Sequence, residues 1–104
     1  MIHQIKIWLD DVRPAPSHEW VICTTAEQAI GLINMGSVTF ISFDHDLGEG
    51  ATGYDVAKYI EEEAVYGNLE PIGYEIHSSN PVGRKNIWMA MNNAWRYWDP
   101  PTIN

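Results

Sequence analysis

Two acidic clusters, Asp10-Asp11 and Asp44-His45-Asp46, hold the residue types in this chain best suited to chemistry, and each directly follows a short apolar run. Carboxylates crowded together repel one another unless a cation or protons neutralise them. Clusters that meet in space therefore point to a divalent cation or to phosphoryl chemistry. Hard oxygen donors suit Mg²⁺ or Mn²⁺, which keep several waters and recruit phosphate oxygens to fill their shell. Asp10, Asp11, Asp44 and Asp46 are the candidate metal ligands, with Asp46 either an extra ligand or the residue that orients a histidine. Zinc fits less well, because with Cys23 at the far edge of the sheet His and Asp would have to supply every ligand.

His45 and His77 are the candidate acid and base, since an unperturbed imidazole titrates at about 6.5. Strand alternation predicts that Asp44 and Asp46 share a direction while His45 points away. The segment His77-Ser78-Ser79-Asn80-Pro81-Val82-Gly83-Arg84 joins hydroxyls and an amide to a helix start with an arginine in its first turn. Free N–H groups there favour a phosphate oxygen, and arginine can bind one bidentately. Arg13, Ser78, Ser79, Asn80 and Arg84 are accordingly the candidate phosphate-binding residues.

The elements that must position these groups follow from pattern. Ile5–Leu9, Trp20–Cys23, Val38–Phe43 and Pro71–Ile76 read as strands, apolar and rich in β-branched or aromatic residues. Pro14 and Pro16 make a regular helix unlikely after the first strand. Thr24 with Glu27 has capping-box spacing and predicts a helix with Ala26, Ala29, Ile30 and Ile33 on one face, stopped near Gly36. Tyr54–Tyr66 is predicted helical, with Val56, Ile60 and Ala64 inward, and the glycine-rich stretch before it reads as a flexible loop at the site's edge. Asn80-Pro81 opens a last helix with Ile87, Trp88, Met91, Trp95 and Trp98 on one side, ended by Asp99-Pro100-Pro101. Strands alternating with helices imply parallel pairing. All three chemical segments then gather at the carboxyl edge of one sheet, where open α/β folds place their sites.

A chain of 104 residues with 45% hydrophobic content fits one domain spanning 1–104. The single Cys23 excludes an intramolecular disulfide and reads as core. The formal charge of -8 argues against extended nucleic-acid binding or attachment to anionic lipid, leaving local capture of a phosphate-containing small molecule or nucleic-acid end. The chain shows neither a membrane-spanning run nor a signal peptide, and the expected location is cytoplasmic. The aromatic stripe of Trp88, Trp95, Tyr97 and Trp98 reads as core cover at helical spacing, but Trp95, Tyr97 and Trp98 cannot all face inward on one helix, so part of it is a candidate contact surface and a homodimer a possible partner state.

Trp8-Leu9-Asp10-Asp11-Val12-Arg13-Pro14 resembles the acidic pair after the first strand of response-regulator receiver domains, and Phe43-Asp44 resembles their phosphoacceptor position. More closely, Leu-Asp-Asp-x-Arg-x-x-Pro, Phe-Asp-His-Asp-Leu-Gly, Gly-Tyr-Asp and His-Ser-Ser-Asn-Pro-x-Gly together resemble the cyclic-phosphate-processing receiver-like family of small phage and bacterial proteins. The resemblance implies a flavodoxin-like, receiver-like three-layer α/β domain whose shortened, mostly parallel four-stranded sheet has the order 2-1-3-4. It also implies a cyclic phosphate on a nucleotide or RNA end as substrate. The expected reaction is metal-dependent phosphoester hydrolysis, a water attacking phosphorus beside the cation while a histidine protonates the leaving oxygen. The alternative is a non-catalytic signalling or nucleotide-sensing module in which Asp44 accepts phosphate. The four strands leave no counterpart to the fifth-strand lysine of ordinary receivers.

Overall fold

The structure, a computed structural model, describes residues 4–100. Strands β1 (Ile5–Leu9), β2 (Trp20–Cys23), β3 (Val38–Phe43) and β4 (Gly73–Ile76) form one parallel sheet in the order β2-β1-β3-β4. Three helices accompany it: α1 (Ala26–Asn34), α2 (Gly53–Val65) and α3 (Pro81–Trp98). The strand order is the expected one. Only β4 is shorter than the sequence predicts, with Pro71 and Ile72 outside the ladder.

The three-layer expectation requires a correction. The steps from β2 to β3 and from β3 to β4 run in the same direction across the sheet, so right-handed crossovers put α1 and α2 on one face. α2 packs along α3 and touches α1, so all three helices form a single layer. Only the β1-to-β2 step runs the other way, and its proline-bearing connection contains no helix. The domain is therefore two-layered. Between sheet and helices lies the core, built on fully buried Ile7, Leu9, Ile41 and Phe43 from the central strands against Ile33, Val56, Ile60, Ile87 and Met91 from the helices. The opposite face is aromatic instead of helical: Trp8 meets Trp20 edge-on with centroids 5.6 Å apart, Trp20 meets Phe40 at 6.0 Å, and the Lys6 ammonium lies 4.2 Å from the Trp20 ring centroid.

Helix starts show how local chemistry sets the frame. α1 is capped by Thr25, one residue later than expected, its hydroxyl accepting from Gln28 N, while Gln28 Oε1 accepts from Thr24 N. Two adjacent threonines each face a suitable residue three positions on, and burial of Ala26, Ala29 and Ile33 selects the second. Thr52 and Asp55 form a reciprocal capping box on α2. Asn80 caps α3 through Gly83 N, with Pro81 following, as the sequence predicts. The inward stripe of α3 is Gly83, Ile87, Ala90, Met91 and Ala94; Trp88, expected inward, is 52% exposed. Trp95 and Trp98 are partly buried and donate their indole N–H groups to Ile72 O and Leu69 O, which ties the C-terminal end of α3 to the segment entering β4.

Candidate active site

β1, β3 and β4 all end at one edge, and the residues just beyond them meet there. Ligand oxygens of Asp10, Asp11 and Asp44 all lie within 4.8 Å of one another. Asp10 is 3% exposed and its carboxylate is well provided with donors. Oδ1 accepts from Val12 N and Arg13 N, both at 2.8 Å, and Oδ2 lies 2.9 Å from His77 Nε2. Burial pushes the Asp10 carboxyl up, but the Val12 and Arg13 amides and His77 together outweigh it and hold the group below the ordinary carboxylate value. Asp11 is exposed and Asp44 half-buried, with Asp44 Oδ1 accepting from His45 N at 2.8 Å. The glycine-rich loop comes up to this edge, since a Cβ on Gly48 would sit 3.3 Å from Asp11 Oδ2.

Asp46 stands apart from the three clustered acids. β3 ends at Phe43, so strand alternation no longer governs residues 44–46 and the expected common direction of Asp44 and Asp46 is not imposed. Asp46 Oδ1 instead lies 2.9 Å from His45 Nδ1, and the Asn80 amide reaches both Asp46 oxygens at 3.4–3.5 Å. The His45 hydrogen bond is the main reason the Asp46 carboxyl sits below its usual range. His45 Nε2 has no hydrogen-bond partner among the described residues. No buried side-chain nitrogen or oxygen is left unpartnered among them, so that nitrogen is open to solvent.

Glycine makes this seat available twice. A Cβ on Gly83 would fall 2.3 Å from His45 Cγ, so the imidazole rests directly on the first turn of α3. A Cβ on Gly53 would fall 1.9 Å from the Asp44 carbonyl oxygen, so α2 can begin against the end of β3 only with glycine there.

The second histidine is bound differently. His77 has both ring nitrogens engaged, Nε2 with Asp10 and Nδ1 with Ser42 Oγ at 2.8 Å, and its ring stacks on Trp8. Ser42 and Trp8 were not among the residues singled out by sequence. The available signal was Ser42 itself, a polar residue inside an apolar central strand, where burial demands a partner.

The candidate phosphate-binding residues divide between site and scaffold. Arg13 Nη1 donates to His77 O and Arg84 Nη1 donates to Ile76 O and Ser78 O, so each guanidinium braces the loop after β4 with one nitrogen. Ser78 is buried, its hydroxyl accepting from Asn80 N, whereas Ser79 is exposed. In the first turn of α3, Gly83 N and Arg84 N already bond Asn80, and Pro81 has no N–H. A groove of about 420 Å³ between α2 and α3, lined by Tyr54, Glu61, Trp88 and Arg96 among others, includes none of these site residues.

Residues 5–93 match the family model described as the cyclic-phosphate processing receiver domain. The chain belongs to that family. No curated protein and no solved structure matches it. The family's name ties this receiver domain to cyclic-phosphate processing, and the match takes in all three segments that meet at the sheet edge. No helix among the described residues is long and apolar enough to cross a membrane.

Proposed function

We propose that this receiver domain hydrolyses a phosphoester with the help of a divalent cation, opening a cyclic phosphate on a nucleotide or RNA end to a monoester. The observation that carries the reading is the convergence of Asp10, Asp11 and Asp44 within 4.8 Å, beside a histidine whose Nε2 is open. Three hard oxygen donors with no thiolate or imidazole in the set fit Mg²⁺ or Mn²⁺ better than zinc. Such a cation, when bound, offsets the charge of the carboxylates and of the phosphate and polarises the phosphoryl group.

The chain's own residues have distinct tasks in this reading. Asp11 and Asp44 offer oxygens less committed than those of Asp10, which already receives three hydrogen bonds. The Asp46 carboxylate orients the His45 ring through Nδ1, and the open Nε2 is the atom that gives a proton to the departing ribose oxygen. In sum, water adds across the broken P–O bond, its hydroxyl to phosphorus and a proton to the leaving oxygen. Arg13, Ser79 and Arg84, exposed beside the loop after β4, are the groups that would hold the phosphate, each arginine through guanidinium nitrogens other than the Nη1 that braces the loop.

The test is incubation of the protein with 2′,3′-cyclic nucleotides and with RNA ending in a cyclic phosphate, in Mn²⁺ and in excess chelator. Monoester product in Mn²⁺, abolished by chelator and by Asp44→Asn, is the expected result. Turnover that persists in chelator overturns the role of the cation. A phosphodonor that instead leaves a hydroxylamine-sensitive mass increase on Asp44, with no cyclic phosphate opened, favours the signalling alternative.

A further inference from the structure

His77 is held on every side. Its ring lies parallel to that of Trp8, with centroids 3.9 Å apart and 3° between planes. Nε2 faces Asp10 Oδ2 at 2.9 Å and Nδ1 faces Ser42 Oγ at 2.8 Å, while Ser42 is 0% exposed. The backbone is fixed as well: His77 N donates to Phe43 O, and His77 O accepts from Arg13 Nη1. The Trp8 indole N–H donates to Arg13 O at 2.8 Å, and Arg13 N donates to Asp10 Oδ1. Asp10, His77, Trp8 and Arg13 therefore form a closed ring of contacts joining the ends of β1 and β4, and Ser42 anchors it to β3.

Such an arrangement suits holding better than proton exchange. An acid or base needs a nitrogen within reach of the reacting atoms, and both nitrogens of His77 already have partners. An ionised carboxylate only accepts, so the nitrogen facing Asp10 carries the proton, and the other accepts from the Ser42 hydroxyl when the ring is neutral. A side chain that binds a cation depends on hydrogen bonds from behind to fix its orientation.

The geometry points to His77 as a positioning residue: braced by Ser42 and Trp8, it fixes the direction of the Asp10 carboxylate for a bound cation and takes no proton itself. This rests on the cation-dependent reading above. It assigns the proton transfer to His45 alone and gives Ser42 and Trp8 a task in the site.

The experiment measures Mn²⁺ affinity by calorimetry, and kcat at saturating Mn²⁺, for the wild-type chain, His77→Ala and His77→Gln. Glutamine keeps an N–H donor for Asp10 but has no group that titrates near neutrality. His77→Ala is expected to weaken Mn²⁺ binding by about 10- to 100-fold, and His77→Gln to recover most of that loss. At saturating Mn²⁺ the glutamine variant should lose far less turnover than the ~10²–10⁴-fold that removal of an acid or base brings. Equal Mn²⁺ affinity in all three proteins overturns the proposal. So does a glutamine variant that binds Mn²⁺ normally yet loses turnover as fully as the alanine variant, because His77 is then the acid or base. A wild-type chain that binds no Mn²⁺ brings down the cation reading itself, and this role with it, before any variant is compared.

Discussion

The same two side-chain types are joined twice at this sheet edge, with opposite results. Asp10 and His77 meet inside the protein, both largely buried, with both carboxylate oxygens and both ring nitrogens given a partner. Asp46 and His45 meet at the surface, the acid's side chain 68% exposed and the imidazole's far nitrogen open. The difference comes from position. β4 carries His77 over the central strands, where Ser42 and Trp8 enclose it, whereas His45 follows the end of β3 and leans on a helix start. A hydrogen-bonded carboxylate and imidazole have no fixed function: in the roles proposed above, a ring with both nitrogens engaged suits clamping, and a ring with one nitrogen open suits proton transfer.

Three further experiments would break or sharpen this contrast. The largest effect is expected for His45→Gln, which should lower turnover by about 10²–10⁴-fold while leaving Mn²⁺ affinity near wild type; kcat and calorimetry together check it, and unchanged turnover would remove His45 from the proton path. Next is Gly83→Ala, whose new methyl must displace the His45 ring. Its melting transition should report a loss of about 1–3 kcal/mol, typical of overpacking, together with reduced turnover. The smallest effect lies on the enclosed side and appears on acidification. The folded-state pKa of Asp10 is below its unfolded value of about 3.9, so as pH falls the unfolded chain takes up the proton first. The stability Asp10 contributes is therefore complete above about pH 5 and is lost as pH drops through the folded pKa. Denaturation midpoints measured from neutral pH to about pH 3 should fall less steeply in Asp10→Asn than in the wild type; equal slopes would mean that the carboxylate gains nothing from its donors.

Much of this could be seen in the sequence where pattern and local chemistry agree. The runs at residues 5–9, 20–23 and 38–43 became strands with those bounds, and Asn80-Pro81 opened α3, because apolar β-branched content and a cap with proline each allow few alternatives. The convergence of Asp10, Asp11 and Asp44 followed from parallel order alone. The number of layers was also within reach: each crossover helix reports its face through handedness, and the prolines after β1 had already removed the helix that would cover the other side. What pattern could not supply was side-chain partnership beyond the strand ends. Nothing local tells Asp46 to turn to His45 instead of joining Asp44, or Arg84 to brace two carbonyls. The first choice depends on Asn80 and Gly83, which only the fold brings alongside, and the second on how the loop after β4 turns back over the start of α3.

The contact between Asp10 and His77 spans 67 residues of chain, and its consequence concerns when the site exists at all. No fragment that folds early from neighbouring segments can contain it, since it requires the strand pairings of β1 with β3 and β3 with β4 to be in place together. A ligand that needs the Asp10 carboxylate as His77 holds it therefore recognises the native state alone. By mass action its binding energy adds to the stability of the entire domain, so that occupancy and global unfolding become one coupled equilibrium.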